Sequence, residues 1–386
     1  MSSRLGSRLL VGPMAASRRI GSLGRRRRVD PPERVLVAHS LLLGDTLMLT
    51  ALLARLRARW PDAEIVFTVA PGLLPLYESR PFGVRAVGYD PRDATSLLRL
   101  GASTGFDLAI VPGDNRVSWT ALAAGARWIV AHAGDRPGYK SWPVDDLRAY
   151  PPEPAALSDI FAALAGGPEP EPFRPSDWPT PSCAPFALPA DPYVVLHAGA
   201  GSPLRHWPPD RWSAVARWLS EAGVAVALSC GPGEESLLTA IDPQRAHHHF
   251  PGTLSLVQLW QLVRRARVLI VPDTGISHLA RLTGTPSITL YGPGSATLFG
   301  PGRFWRDIPH RAVIEDPFPC RDQQTVFKRV VPWARRCQRN TDECLLPRCM
   351  LANPVDRVLQ AVRALIPGVI HETPSGAETK ALDARR

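Results

Sequence analysis

From residue 34 onward, short apolar runs alternate with longer stretches whose apolar residues recur every three or four positions. Residues 34–38 read as a short buried strand and 39–44 as a loop. Residues 46–60 then read as a helix, with Leu47, Leu49, Leu52, Leu53 and Leu56 on one face, Arg55, Arg57 and Arg59 off it, and Pro61 ending it. Further strands are predicted at 64–69, 84–89 and 107–111, with helical or loop segments between. A second block repeats the rhythm: strands at 193–197, 224–229, 268–271 and 287–291 alternate with helices at 209–221, 234–241, 255–265 and 276–283. Strand, helix, strand in this order predicts parallel α/β sheets.

Between the blocks, residues 151–192 are rich in proline, including Pro168, Pro170, Pro172, Pro175 and Pro179. Such a stretch does not sustain regular structure for long, and it is the predicted linker. A length of 386 residues also exceeds one ordinary core and suggests two domains of about 150 residues. The expected organisation is a basic, unstructured arm at 1–32, a first Rossmann-like domain at 33–165, a linker at 166–191 and a second Rossmann-like domain at 192–315. A cysteine-containing insertion at 316–350, a C-terminal helix at 351–367 packing back on the domains, and an unstructured tail at 368–386 complete it. Two doubly wound domains imply a central cleft, with ligands held beyond the carboxyl ends of the strands.

The net charge of +10 invites a nucleic-acid reading. Its placement argues otherwise: Arg4, Arg8, Arg18, Arg19 and Arg25 to Arg28 all precede the first acidic residue, Asp30, and leave the body nearly neutral. No stripe of aromatic residues interleaved with basic ones follows, so nucleic acid is not an expected partner. The arm suits anionic lipid headgroups at most. No apolar run approaches the roughly 20 residues of a membrane span, and the piece from Leu9 to Ala16, broken by Gly12 and Pro13, is not a secretory signal. The expected location is cytoplasmic. Of six cysteines, Cys320, Cys337, Cys344 and Cys349 fall close together, where a small zinc site, paired disulfides or reduced thiols are the alternatives. Thiols are the default without an export signal, and since the spacing matches no familiar zinc pattern, zinc is the minority reading.

The candidate chemistry clusters at strand-to-helix loops. Gly44-Asp45-Thr46 follows the first strand, where Asp45 suits either an N-cap or a base. His197-Ala-Gly199-Ala-Gly201-Ser202 follows the first strand of the second block, with Arg205 just beyond; small residues there let a ligand reach the backbone. Gly231 with Glu234 and Glu235 repeats the arrangement, and a carboxylate there suits ribose hydroxyls or a helix cap. Asp273-Thr274-Gly275, leading to His278, reads as a helix start against a phosphate. The triplet His247 to His249 reads as an exposed loop.

These segments, together with Asp107 to Val111 leading to Asn115-Arg116, Arg205-His-Trp-Pro208, Gly284-Thr-Pro and Tyr291-Gly-Pro, resemble glycosyltransferase family 9 from about Arg34 to Ile366. That is the family of bacterial ADP-heptose:lipopolysaccharide heptosyltransferases. The resemblance implies a GT-B fold and an inverting, metal-independent transfer of a sugar from a nucleotide-diphosphate donor, ADP-heptose, to a lipopolysaccharide-core or other anionic cell-surface glycan. Peripheral contact with the cytoplasmic face of the inner membrane goes with it, and no cofactor is required. The alternatives are another nucleotide sugar and acceptor on the same fold, or a non-catalytic nucleotide-sugar binding protein. Carried over by motif, Asp45 becomes the general base and Arg205, Ser202 and the amides of Thr274 and Gly275 the diphosphate site. Gly199, Gly201, Gly231, Glu234, Glu235, Asp273 and His278 complete the nucleotide-sugar site, with Gly44 and Arg116 toward the acceptor. The family usually carries Lys where this chain has Arg205, and the cysteine-containing insertion is longer than expected.

Overall fold

The computed structural model describes residues 11–15, 17, 27–101, 105–190 and 192–367. Two six-stranded parallel sheets carry it. The first comprises β1 (Arg34–Val37), β2 (Glu64–Val69), β3 (Arg85–Gly88), β4 (Leu108–Val111), β5 (Trp128–His132) and β6 (Asp146–Arg148), in the order β3-β2-β1-β4-β5-β6. The second comprises β7 (Tyr193–His197), β8 (Ala225–Cys230), β9 (His248–Pro251), β10 (Leu269–Pro272), β11 (Ser287–Tyr291) and β12 (His310–Ile314), in the order β12-β11-β10-β7-β8-β9. Read in chain order the two sheets have the same winding. The order reverses between β1 and β4 in one sheet and between β7 and β10 in the other, so loops at these carboxyl ends open a crevice. Central strands such as Leu-Ala-Ile-Val in β4 are buried along their whole length, which is why they read as unbroken apolar runs.

All eight expected strands form, and the two large sheets hold four more outside them. Three of the four are poor signals for a physical reason: β6, β9 and β12 are sheet edges with polar faces. Hence only His247 of the His247 to His249 triplet lies in a loop. His248 and His249 belong to β9, and His249 Nε2 lies 2.9 Å from Asp242 Oδ2, an anchor for the edge strand. The fourth, β5, is a short run of four apolar residues ending in His132, which periodicity alone cannot assign.

The helix expected at 46–60 is two helices, α1 (Leu43–Met48) and α2 (Thr50–Arg59), broken at Leu49. Thr50 Oγ1 donates to Leu47 O at 2.6 Å, a back-bond that competes with the regular ladder at the junction. The break lets α1 point its first turn into the crevice while α2 packs on the sheet. In the second half α3 (Pro209–Glu221) starts with proline at its first position, and α4 (Leu256–Arg265) opens on a reciprocal Ser255/Gln258 capping box. The next helix, α5 (Gly275–Thr283), ends on Gly284 in the left-handed region. A final helix, α6 (Val355–Leu365), packs on α3 and on β11 and β12.

The proline-rich stretch lies along both halves. It contains a helix, Leu157–Ala163, and Trp178 packs between Tyr77 of the first half and Trp260 of the second, at ring separations of 5.1 and 5.8 Å. Aromatic pairs of this kind contribute about 0.5–1.5 kcal/mol each beyond their buried area. Within the 1–32 arm, expected to be unstructured, residues 11–15 are helical and Ala15 is buried in the core of the first half. The rest of that arm before residue 27, apart from residue 17, and the 368–386 tail lie outside the described residues. Among the described residues no helix is long and apolar enough to cross a membrane.

Candidate functional site

The two switch points face each other, and the closest approach is between helix starts. A Cβ on Gly275 would lie 2.9 Å from Leu43 Cδ2 and 3.1 Å from Gly44 N; one on Gly44 would lie 3.1 Å from His278 Cδ2. Glycine at both positions lets the first turns of α1 and α5 abut, so two sets of N-terminal amides converge on one point.

Asp45 stands in the first turn of α1, half-buried. The expected cap role is not seen: α1 begins at Leu43 with Leu42 as its N-cap, and no side chain caps it, because Asp45 already sits at the third helical position. Its carboxyl group is pushed up to about 6, first by burial, then by Asp273; Arg336 and Arg205 oppose the shift. A carboxylate poised there is strong enough as a base near neutrality and deprotonated above pH 6.

Across the crevice, Arg205 Nη1 donates to Asp273 O at 2.7 Å. The Asp273 side chain is buried, its Oδ2 has no partner, and burial raises its pKa while Arg205, Arg336 and Arg281 oppose the rise. A Cβ on Gly294 would overlap Asp273 Oδ2, so the loop after β11 has to be glycine there. Thr274 caps α5, its Oγ1 accepting from Ile276 N at 3.3 Å. His278 Nδ1 lies 2.8 Å from Arg281 Nη1; because arginine only donates, Nδ1 accepts and the proton sits on Nε2, beside Gly44. Burial and then Arg281 keep this imidazole neutral, well below its usual range. Arg281 itself is fully buried and held by the carbonyls of Gly300 and Phe299 at 3.0 and 2.6 Å.

The glycine-rich loops are held by one carboxylate. Glu234 Oε1 accepts from Ala200 N and Oε2 from Gly231 N, each at 2.9 Å, while His206 Nε2 lies 3.3 Å from Oε1. Oε1 takes both Ala200 N and the imidazole, but Oε2 keeps a further lone pair, so Glu234 can brace the loops and still accept from a ligand hydroxyl. Glu235 is exposed and accepts from Gly233 N at 2.9 Å. Ser202 Oγ accepts from Leu204 N at 3.4 Å, and Gly201 is open, with no atom near its Cβ position. Gly199 is the opposite case: a Cβ there would overlap Glu234 Oε2 and lie 2.8 Å from Gly231 N. Gly199→Ala is therefore expected to displace the Glu234 brace and to lower stability by about 1 kcal/mol or more, the worth of one good hydrogen bond; an unchanged urea-unfolding midpoint would contradict it.

Arg116 stands apart from Asp45, at a cavity of about 610 Å³ over the first sheet that it shares with Ser40, Asp114, Trp119, Tyr139 and Phe327. Its Nε is buried without a partner. Phe327 belongs to the tip of a hairpin, β13 (Thr325–Val326) and β14 (Arg329–Val330), whose two turn residues have φ of 46° and 63°. That hairpin comes from the cysteine-containing insertion, so the insertion reaches the first half.

It also holds the residue that sequence reading missed. Arg336 faces Arg205, Asp273 and Asp45, and burial followed by Arg205 lowers its pKa. No spacing marks it in the sequence. Arg281 was missed as well, although its position three residues after His278 on one helix face is a legible signal. The four cysteines of the insertion are free thiols, and among the described residues no three metal-ligating side chains are placed to hold an ion.

A family model for glycosyltransferase family 9 (heptosyltransferase) matches residues 99–330. Lipopolysaccharide heptosyltransferase 1 of Escherichia coli strain K12 is 31% identical over 101 residues, 26% of this chain and 31% of that one. The aligned stretch thus spans about a third of such a curated relative. Lipopolysaccharide heptosyltransferase 3 of the same strain is 23% identical over 278 residues, 64% of this chain and 79% of that one. Among solved structures, the ADP-heptose lps heptosyltransferase II of E. coli superposes with a TM-score of 0.65 at 19% identity, covering 87% of this chain and 98% of that one. The shared architecture is the two-sheet GT-B fold.

Proposed function

This chain belongs to glycosyltransferase family 9, and we propose that it moves a heptose from ADP-heptose to the core of a lipopolysaccharide, with inversion at the anomeric carbon and without a metal ion. The names of its relatives supply the donor and the acceptor. The observation that carries the reaction is the position of Asp45: a carboxyl group raised to about 6, at one helix start, opposite Arg205 and the start of α5.

In this reading the nucleotide lies over the loops braced by Glu234, with the ribose toward that carboxylate. Its diphosphate meets Arg205, Ser202 and the amides of Thr274 and Gly275. The acceptor occupies the cavity that Arg116 lines, whose guanidinium charge suits an anionic sugar. Asp45 takes the hydroxyl proton as that oxygen bonds to the anomeric carbon, and the carbon–oxygen bond to the diphosphate breaks on the opposite face. The electron pair leaves with the nucleoside diphosphate, whose growing charge Arg205 and the amides stabilise. Direct displacement of this kind inverts the carbon, and two helix starts with a fixed guanidinium supply the charge that a metal ion would otherwise bring. The arm, with Arg25 to Arg28, would bring the chain to anionic headgroups on the cytoplasmic face of the inner membrane.

The test is transfer from ADP-heptose to a heptose-deficient lipopolysaccharide core, followed by release of ADP. Arg205→Ala is expected to cut kcat/KM by about 10²-fold or more, the usual cost of removing one preorganised donor from developing charge. Absence of transfer by the unaltered chain, or an unaffected Arg205→Ala variant, would reject the reading.

A further inference from the structure

The insertion fixes Arg336 in the crevice from both sides. Trp333 Nε1 donates to Pro151 O at 2.9 Å in the first half, and Cys337 N donates to Pro293 O at 2.8 Å in the second. The Arg336 backbone itself accepts from Gln323 N at 3.0 Å, which closes the loop behind it. Pro293 lies between Gly292 and Gly294, the glycine packed on the Asp273 carboxylate, so the segment next to Arg336 is stitched to the wall of the donor site. The guanidinium lies 5.4 Å over the ring of Phe299, and its Nε is buried without a hydrogen-bond partner.

The charges around it do not balance. Its strongest charged neighbour is another cation, Arg205; of the two carboxylates that face the pair, burial inclines Asp273 to hold its proton, which leaves Asp45, ionised above about pH 6, facing two guanidinium groups. Bringing two guanidinium groups together in a partly desolvated crevice is unfavourable unless an anion joins them. A planar fork with an unused donor is suited to phosphate oxygens.

We infer that Arg336, delivered by the insertion, is a second diphosphate-binding cation that works opposite Arg205 and closes the donor site over the phosphate nearest the sugar. The inference rests on the nucleotide-sugar reading above and assigns a specific task to the insertion, which that reading leaves without one.

Two variants and two probes test it. Arg336→Met keeps the apolar stem on Phe299 and removes the charge, while Arg336→Lys keeps a charge without the fork. ADP and AMP differ only in the phosphate at issue. Calorimetric titration is expected to show ADP affinity falling about 10- to 100-fold in Arg336→Met and recovering in large part in Arg336→Lys, with AMP affinity nearly constant across all three proteins. An unchanged ratio of ADP to AMP affinity in Arg336→Met overturns the inference, and failure of the unaltered chain to bind ADP at all overturns the reading beneath it. Hydrogen exchange in the unaltered chain gives a measurement free of any folding defect. ADP should slow exchange of the amides at residues 334–338 and AMP should not; equal exchange with both overturns the inference.

Discussion

Asp45→Asn is expected to lower kcat by about 10² to 10⁴, the range for loss of a positioned general base, while leaving ADP affinity in place. The unaltered chain should show kcat/KM rising as pH passes about 6, where Asp45 loses its proton, and the variant should lose that limb. Stability gives an independent sign. Folded Asp45 holds its proton up to about pH 6, whereas in the unfolded chain the proton leaves around the ordinary value of 3.8. The folded state therefore binds more protons across this window, and the contribution of Asp45 to stability, full below it, is lost as pH rises through about 6. Asn carries no charge to desolvate, so the variant should melt higher than the parent above that pH. Lower melting with undiminished turnover would show Asp45 to be a structural residue.

The largest loss of stability is expected at Asp135. Its Oδ1 lies 2.9 Å from Nζ of the fully buried Lys140, and its Oδ2 accepts from Asn115 N at 2.8 Å and lies 3.6 Å from Arg329 Nη2. Asp135→Ala would leave two buried cations to share Asp114, which reaches only Lys140, at 3.2 Å. Breaking a buried pair from one side costs about 3–5 kcal/mol, so urea unfolding should show a fall of that size. A change under about 1 kcal/mol, the worth of an exposed pair, would mean that water reaches these groups. Because Arg329 belongs to the insertion, the same substitution should loosen the hairpin that carries Phe327 to the cavity at Arg116.

The central strands and the long helices were legible because one buried environment runs along each of them: β1, β2, β7 and β11 were placed within a residue of their ends. Edge strands such as His248–Pro251 were not, since half of their residues face water and carry no apolar period. The site divides the same way. Asp45, Arg205, Asp273 and His278 lie within recognisable local motifs, and the structure does bring them to one crevice. Glu234 was legible as a carboxylate near a ligand but not as the brace of two loops, because its partners are amides three and thirty-four residues away. Arg336 and the Asp135, Lys140 and Arg329 cluster depend on contacts across the chain that leave no local pattern. The insertion, which read as an extra segment with four cysteines, touches both halves for that reason.

That double attachment changes how the molecule can breathe. A two-lobed enzyme usually exchanges its nucleotide by rotating one lobe about the linker, on the microsecond-to-millisecond scale of such motions. Here Arg321 Nε holds Gly292 O at 2.8 Å on one lobe and Arg329 Nε holds Ala133 O at 3.0 Å on the other, so the insertion ties the two lobes together as a latch. Widening the mouth requires one of these buried arginines to withdraw, so in the function proposed above the escape of the nucleotide product would be tied to that withdrawal rather than to the pliancy of the proline-rich stretch.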